Sequence, residues 1–62
     1  MGQGEILKIL EKENKWLSSR DISNLTGVGL SSTRVKLRKL RILNMVDFKK
    51  EDQEYYYKNK ER

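Results

Sequence analysis

Residues Ser31 to Leu43 read SSTRVKLRKLRIL and carry five cations, Arg34, Lys36, Arg38, Lys39 and Arg41, with no acid among them. Guanidinium and ammonium groups at this density pair with anions, by charge-assisted hydrogen bonds to phosphate or to a guanine edge. Lys49 and Lys50 add two more a few residues on. Ser31 or Ser32 is expected to cap a helix starting near Leu30 or Ser31, and that end of a helix favours phosphate. The chemistry of catalysis is missing. The chain has no His and no Cys, which removes the commonest general base, the commonest metal ligand, any thiolate site and any disulfide. Asp47 is the only acid near the basic stretch, and neither serine has a general base beside it. An enzyme is therefore the least supported reading, and no metal or cofactor is implied.

A cluster of cations points to a polyanion only if the charge is localised. The net charge of +5 is very uneven. Residues 1–29 sum to zero, residues 30–50 to +6 and residues 51–62 to −1. A single basic third marks a polyanion surface better than a uniformly basic chain does, with a merely solvated helix face as the bland alternative. Sixty-two residues make one domain, with an ordered core expected over 5–58. A chain this short buries only about 60% of its unfolded surface, so its core must be small. No apolar run approaches the roughly 18 residues that span a membrane, and the start lacks a signal-peptide core. The expected location is the cytoplasm.

The elements that position the basic stretch follow from periodicity. Met1 to Gly4 has no apolar anchor and is expected to fray. Ile6, Ile9 and Leu10 then share a helical face over about residues 4–13, with Asn14 as the stop. Lys15-Trp16-Leu17 reads as a short extended piece, with Trp16 covering the core or the edge of a hairpin. Ser18, with Asp21 three residues on, resembles a capping box opening a helix from Ser19 to Leu25, with Ile22 and Leu25 inward. Gly27 suits a left-handed helix end, and Val28 plugs the turn before the basic helix. On that helix Leu30, Thr33, Leu37 and Leu40 share one face at 100° per residue, while Arg34 and Arg41 flank it. Ser31, Ser32, Val35, Lys36, Arg38, Lys39 and Ile42 lie on the other side. Val46 and Phe48 alternate with polar neighbours, Glu51-Asp52-Gln53 is a polar turn, and Glu54 to Lys58 is rich in β-formers. The fold class is thus mainly α (α+β): a three-helix helix-turn-helix followed by a two-stranded β-hairpin in the place of a wing. Asn59 to Arg62 is a charged tail, expected to be mobile.

The run SSRDISNLTGVGLSSTRVKLRKLRILNMV followed by YYYK resembles the winged helix-turn-helix core of prokaryotic transcription regulators of the multiple-antibiotic-resistance and arsenic-resistance repressor families. Thr26-Gly27, Ser31 to Thr33, Leu37 with Leu40, Asn44-Met45-Val46 and Tyr55 to Tyr57 carry the likeness, which spans about residues 5–58. It implies a double-stranded DNA partner and a role in transcription regulation. Three features depart from the pattern. Asn44 stands for the usual Gly, Thr33 stands where a Val is common, with Val35 the apolar residue instead, and the dimerising helices and metal-binding Cys and His of those repressors are missing. With these features missing, neither metal sensing nor sensing of a drug-like effector is expected.

In the expected mode the basic helix enters the major groove, with Ser31, Ser32, Val35, Lys36 and Lys39 nearest the bases and Val35 suited to a thymine methyl. Arg34, Arg38, Arg41, Lys49 and Lys50 would hold phosphates, the last two from the wing on the backbone. One such domain reads few base pairs, so a homodimer or tandem sites would supply the remaining specificity. The alternative is a protein-interaction winged helix using Val35, Ile42 and the tyrosine-rich strand; a third reading is RNA binding through the basic face and the tyrosines.

Overall fold

The computed structural model describes residues 3–60. Along the chain run α1 (Gln3–Glu13), β1 (Leu17–Ser18), α2 (Ser19–Thr26), α3 (Leu30–Ile42), β2 (Val46–Glu51) and β3 (Glu54–Asn59). This is a winged helix: three helices on one face of a three-stranded antiparallel sheet of order β1-β3-β2. α1 forms because Ile6 and Leu10, four residues apart, both bury completely, with Leu7 and Ile9 packed beside them. It ends where Asn14 takes φ 49° and its N–H reaches the Leu10 carbonyl at 2.9 Å. Gln3 and Gly4 belong to this helix, which corrects the expected fraying at those two positions; Met1 and Gly2 lie outside the described residues.

Ser18 joins sheet and helix. It pairs with Tyr56 in β3 and also caps α2. Its hydroxyl accepts from the Asp21 N–H at 3.1 Å, and the Asp21 carboxylate accepts from the Ser18 N–H at 3.3 Å, which completes the capping box. The inward face of α2 runs through Ser19, Ile22 and half-buried Thr26. That puts Leu25 at the helix edge, exposed rather than inward as its spacing from Ile22 suggested. Gly27 closes the helix at φ 76°, where a side chain would be strained. Half-buried Val28 is the expected plug, and its carbonyl accepts from the hydroxyls of both Ser23 and Thr33, tying α2 to α3.

The N-cap of α3 is Gly29, with no side-chain bond. The expected Ser31 or Ser32 cap is therefore replaced: the helix already begins at Leu30, which carries both serines into its first turn, exposed. Thr33, Leu37 and Leu40 are buried. The helix ends in a Schellman motif with Asn44 at φ 61°: Asn44 N–H bonds the Arg41 carbonyl at 3.0 Å and Met45 N–H the Leu40 carbonyl at 2.9 Å.

The hairpin turns through Asp52 and Gln53 at φ 50° and 65°, the doubly positive pair that a type I′ turn requires. The sheet has three strands instead of the expected two, because Leu17 and Ser18 pair with Tyr57 and Tyr56. Leu17, Tyr57 and Val46 give the sheet's core face and meet Ile6, Leu10, Ile22, Leu37 and Leu40. Phe48 shares that face but lies closer to the turn and stays exposed. Trp16 sits at the sheet's edge and is also exposed, so it does not cover the core. No buried side-chain polar atom lacks a partner among the described residues. Asn59 is in β3 and Lys60 donates to the Asn44 side chain, so these two do not form the expected mobile tail; Glu61 and Arg62 lie outside the described residues.

Ser18→Ala removes the cap acceptor and is expected to lower stability by about 1 kcal/mol in urea unfolding. Ser32→Ala removes no cap and should stay within about 0.5 kcal/mol of the parent chain.

Candidate nucleic-acid interface

With one face of α3 spent on the core, its remaining circumference divides into three strips at 100° per residue. Arg34, Arg38 and Arg41 form one, at i, i+4 and i+7. Lys36 and Lys39, with Ser32, form another. Between them, facing away from the core, lie Ser31, Val35 and Ile42. Lys36 and Arg41 are half-buried and the others are exposed. Among the described residues none of the five α3 cations is in a salt bridge. The helix thus brings together Ser31, Ser32, Arg34, Val35, Lys36, Arg38 and Lys39 as one surface to which α3 itself contributes no carboxylate.

The arginine strip faces the hairpin. The Arg41 guanidinium lies 4.6 Å from the Phe48 ring centre and 5.9 Å from that of Tyr55, and the two rings pack at 6.4 Å with a 48° tilt. Arg41, expected at a phosphate, is thus engaged by aromatic faces that pull its charge towards the wing. Arg34 lines a cleft with Ser19, Arg20 and Tyr55 and with Asp52, Gln53 and Glu54 of the hairpin turn, so the anionic tip stands beside this end of the arginine strip.

Lys49 and Lys50 do not act as a pair. Successive strand residues point to opposite faces. Lys50 shares its face with Phe48 and Tyr55, its ammonium 5.7 Å from the Tyr55 ring centre. Lys49 is on the outer face, 4.8 Å from the Trp16 ring centre and 5.8 Å from that of Tyr56, and it pairs with Glu51 at 3.1 Å. Lys58 approaches the same Trp16 ring at 6.0 Å. The hairpin tip holds a feature that charge counting by thirds obscured: Glu51, Asp52 and Glu54 gather there, so the tip itself is anionic. The signal lay in the sequence itself, where the three acids fall within four residues, and the two-residue turn puts them at the end of the hairpin. No helix of the described residues is long and apolar enough to cross a membrane.

No protein-family model and no curated protein matches this chain. A solved structure of HOP2, from work on its DNA-recognition and protein-interaction domains and its homologous DNA pairing, superposes with a TM-score of 0.84. The two chains are 21% identical, and the superposition covers 94% of this chain and 97% of the HOP2 chain. The likeness shows a shared winged-helix fold. It supports the winged-helix part of the resemblance to repressors without adding membership in those families.

Arg41→Gln is expected to cost about 0.5–1 kcal/mol and to move the amide resonances of Phe48 and Tyr55. Arg38→Gln, one turn earlier and exposed, should leave both the unfolding midpoint and those resonances nearly unchanged.

Proposed function

We propose that this chain binds double-stranded DNA through α3 and acts as a regulator of transcription, in the manner of the prokaryotic repressors its sequence resembles. The observation that carries this reading is the surface of α3: five cations, no acid and two exposed serines on a helix whose other face is locked into the core. The HOP2 likeness supports the DNA-binding part of this reading, since that protein is described by its DNA-recognition and protein-interaction domains. The chemistry is binding, with no catalytic step. The regulator would act in the cytoplasm, and as a homodimer or on tandem sites, because a single winged helix reads few base pairs.

In this mode α3 lies in the major groove from Ser31 to Lys39. Ser31, Ser32, Val35, Lys36 and Lys39 approach base edges, and Val35 meets a thymine methyl. Arg34, Arg38 and Lys50 reach phosphates. Arg41 acts one step back, by holding the wing against the helix. The anionic tip repels the backbone, so the wing approaches DNA by its Lys50 flank rather than end-on.

Five cations near phosphate or base (Arg34, Lys36, Arg38, Lys39 and Lys50) give a slope of log K against log salt of about −4 to −5. Fluorescence anisotropy with a duplex across a salt series measures it; a slope near zero rules the reading out. Lys36→Glu with Lys39→Glu should abolish binding while the far-UV spectrum stays folded, and retained affinity would mean that α3 is not the reader.

Lys49 and Lys50 separate two forms of the model. Lys50→Gln should weaken duplex binding several-fold and reduce the salt slope by about 1, whereas Lys49→Gln should do neither. Equal effects would put the outer sheet face on the DNA.

A further inference from the structure

Ile42, Leu43 and Met45 are left out of the core although they stand beside it. They are 70%, 60% and 43% exposed, three large aliphatic side chains within four residues. The backbone beneath them is well defined: α3 leads directly into the Schellman turn, whose two hydrogen bonds fix Asn44 and Met45. Such a turn often places an apolar residue at the position of Met45, where it packs back on the helix. It makes no such demand at Ile42 or Leu43. An exposed aliphatic cluster on an ordered helix end, rimmed by polar groups, marks a contact surface.

The charges around the cluster select its occupant. Arg38 and Lys39 lie one turn before it, and Lys60 reaches it from the chain's other end by donating to the Asn44 side chain. From Arg34 to Val46 there is no acid. A second copy docked patch to patch would bring these cations onto one another, which like-charge repulsion opposes. Duplex DNA matches the charge but not the apolar centre. Ile42 is also about 16 Å along the helix axis from Ser31, at the end opposite the one that enters the groove. A protein segment with aliphatic side chains on one face and carboxylates beside them satisfies both features.

We infer that the C-terminal end of α3, centred on Ile42, Leu43 and Met45 and flanked by Arg38, Lys39 and Lys60, is a docking surface for an acidic amphipathic helix of another protein. Val35, seven residues earlier, belongs to the other half of the helix. The two outward apolar residues of α3 thus serve different contacts; Arg38 and Lys39 border both surfaces, so Ile42 and Leu43, which the DNA reading does not use, are the positions that separate them.

The test uses the isotopically labelled 62-residue chain and a synthetic helical peptide with Leu at i, i+3, i+4 and i+7, flanked by Glu. Two control peptides carry Lys for Glu or Ala for Leu. The expected result is saturable amide-shift changes centred on residues 42–45, with a Kd at least about tenfold tighter than for either control. Ile42→Ser with Leu43→Ser should lose about that factor for the peptide and keep duplex affinity within about twofold, its own spectrum reporting that it is folded. Several outcomes overturn the inference: no binding of the Glu peptide, equal binding of the Lys peptide, or shifts centred elsewhere. So does a double variant that loses duplex rather than peptide affinity, or a free-chain dimer in sedimentation that the double variant abolishes. Loss of DNA binding in the Lys36→Glu and Lys39→Glu variant bears on the other proposal only.

Discussion

The burial of Leu37 and Leu40 against Ile6, Leu10 and Ile22 is the contact on which the rest of the molecule depends. Among the described residues eight buried apolar side chains make the core, and two of them come from α3. In so small a core no helix can bury a second face, so the roll of α3 about its axis is set by those leucines and by Thr33. Every cation of the helix is thereby turned to the side or outward. The same contact anchors the sheet, since Leu17, Tyr57 and Val46 close the cluster from below. Leucine replaced by alanine at either position would remove about 2–5 kcal/mol from a domain whose total stability is of that order.

Around this core the polar groups orient the elements rather than stabilise them strongly. The Val28 carbonyl receives hydroxyls from both helices of the helix-turn-helix, which fixes the angle at which α3 leaves the turn. Ser18 anchors the start of α2 to the sheet. Arg41 stacks on Phe48 and so couples the exposed side of α3 to the hairpin. The outer face of the sheet carries its own aromatic and lysine group around Trp16, which shields a surface that the helices do not cover. The hairpin therefore has two chemically different sides and an anionic end, and only one of its sides continues the surface of α3.

Much of the fold was legible because its signals are local. The capping box at Ser18 and Asp21, the glycine at position 27, the asparagine at position 44 and the alternation around Phe48 each specify a backbone conformation within a few residues. The misses share a different cause. β1 has two residues, too few for any alternation, and exists only because β3 is there to pair with it. Leu25 looked inward by its spacing from Ile22, but the buried arc of α2 runs through Ser19, Ile22 and Thr26 and leaves Leu25 at its edge. Ser31 and Ser32 looked like caps, but the helix start was taken by Gly29, whose carbonyl receives the Thr33 N–H at 2.9 Å.

The composition of the surface on α3 was thus determined by the sequence alone: cations at 34, 36, 38, 39 and 41, no acid, and leucines spaced to commit the opposite face to a core. Periodicity suffices there, because a helix maps residue number onto angle. Which of those cations stay open, and what stands beside them, was decided only in three dimensions. Arg41 meets Phe48, Lys49 meets Trp16, and Arg34 shares a cleft with Asp52 and Glu54, because strand pairing and packing place residues together that no local spacing relates. Chain-distant neighbours set the electrostatics of the site, and that is why the basic helix was legible from the sequence and the character of its wing was not.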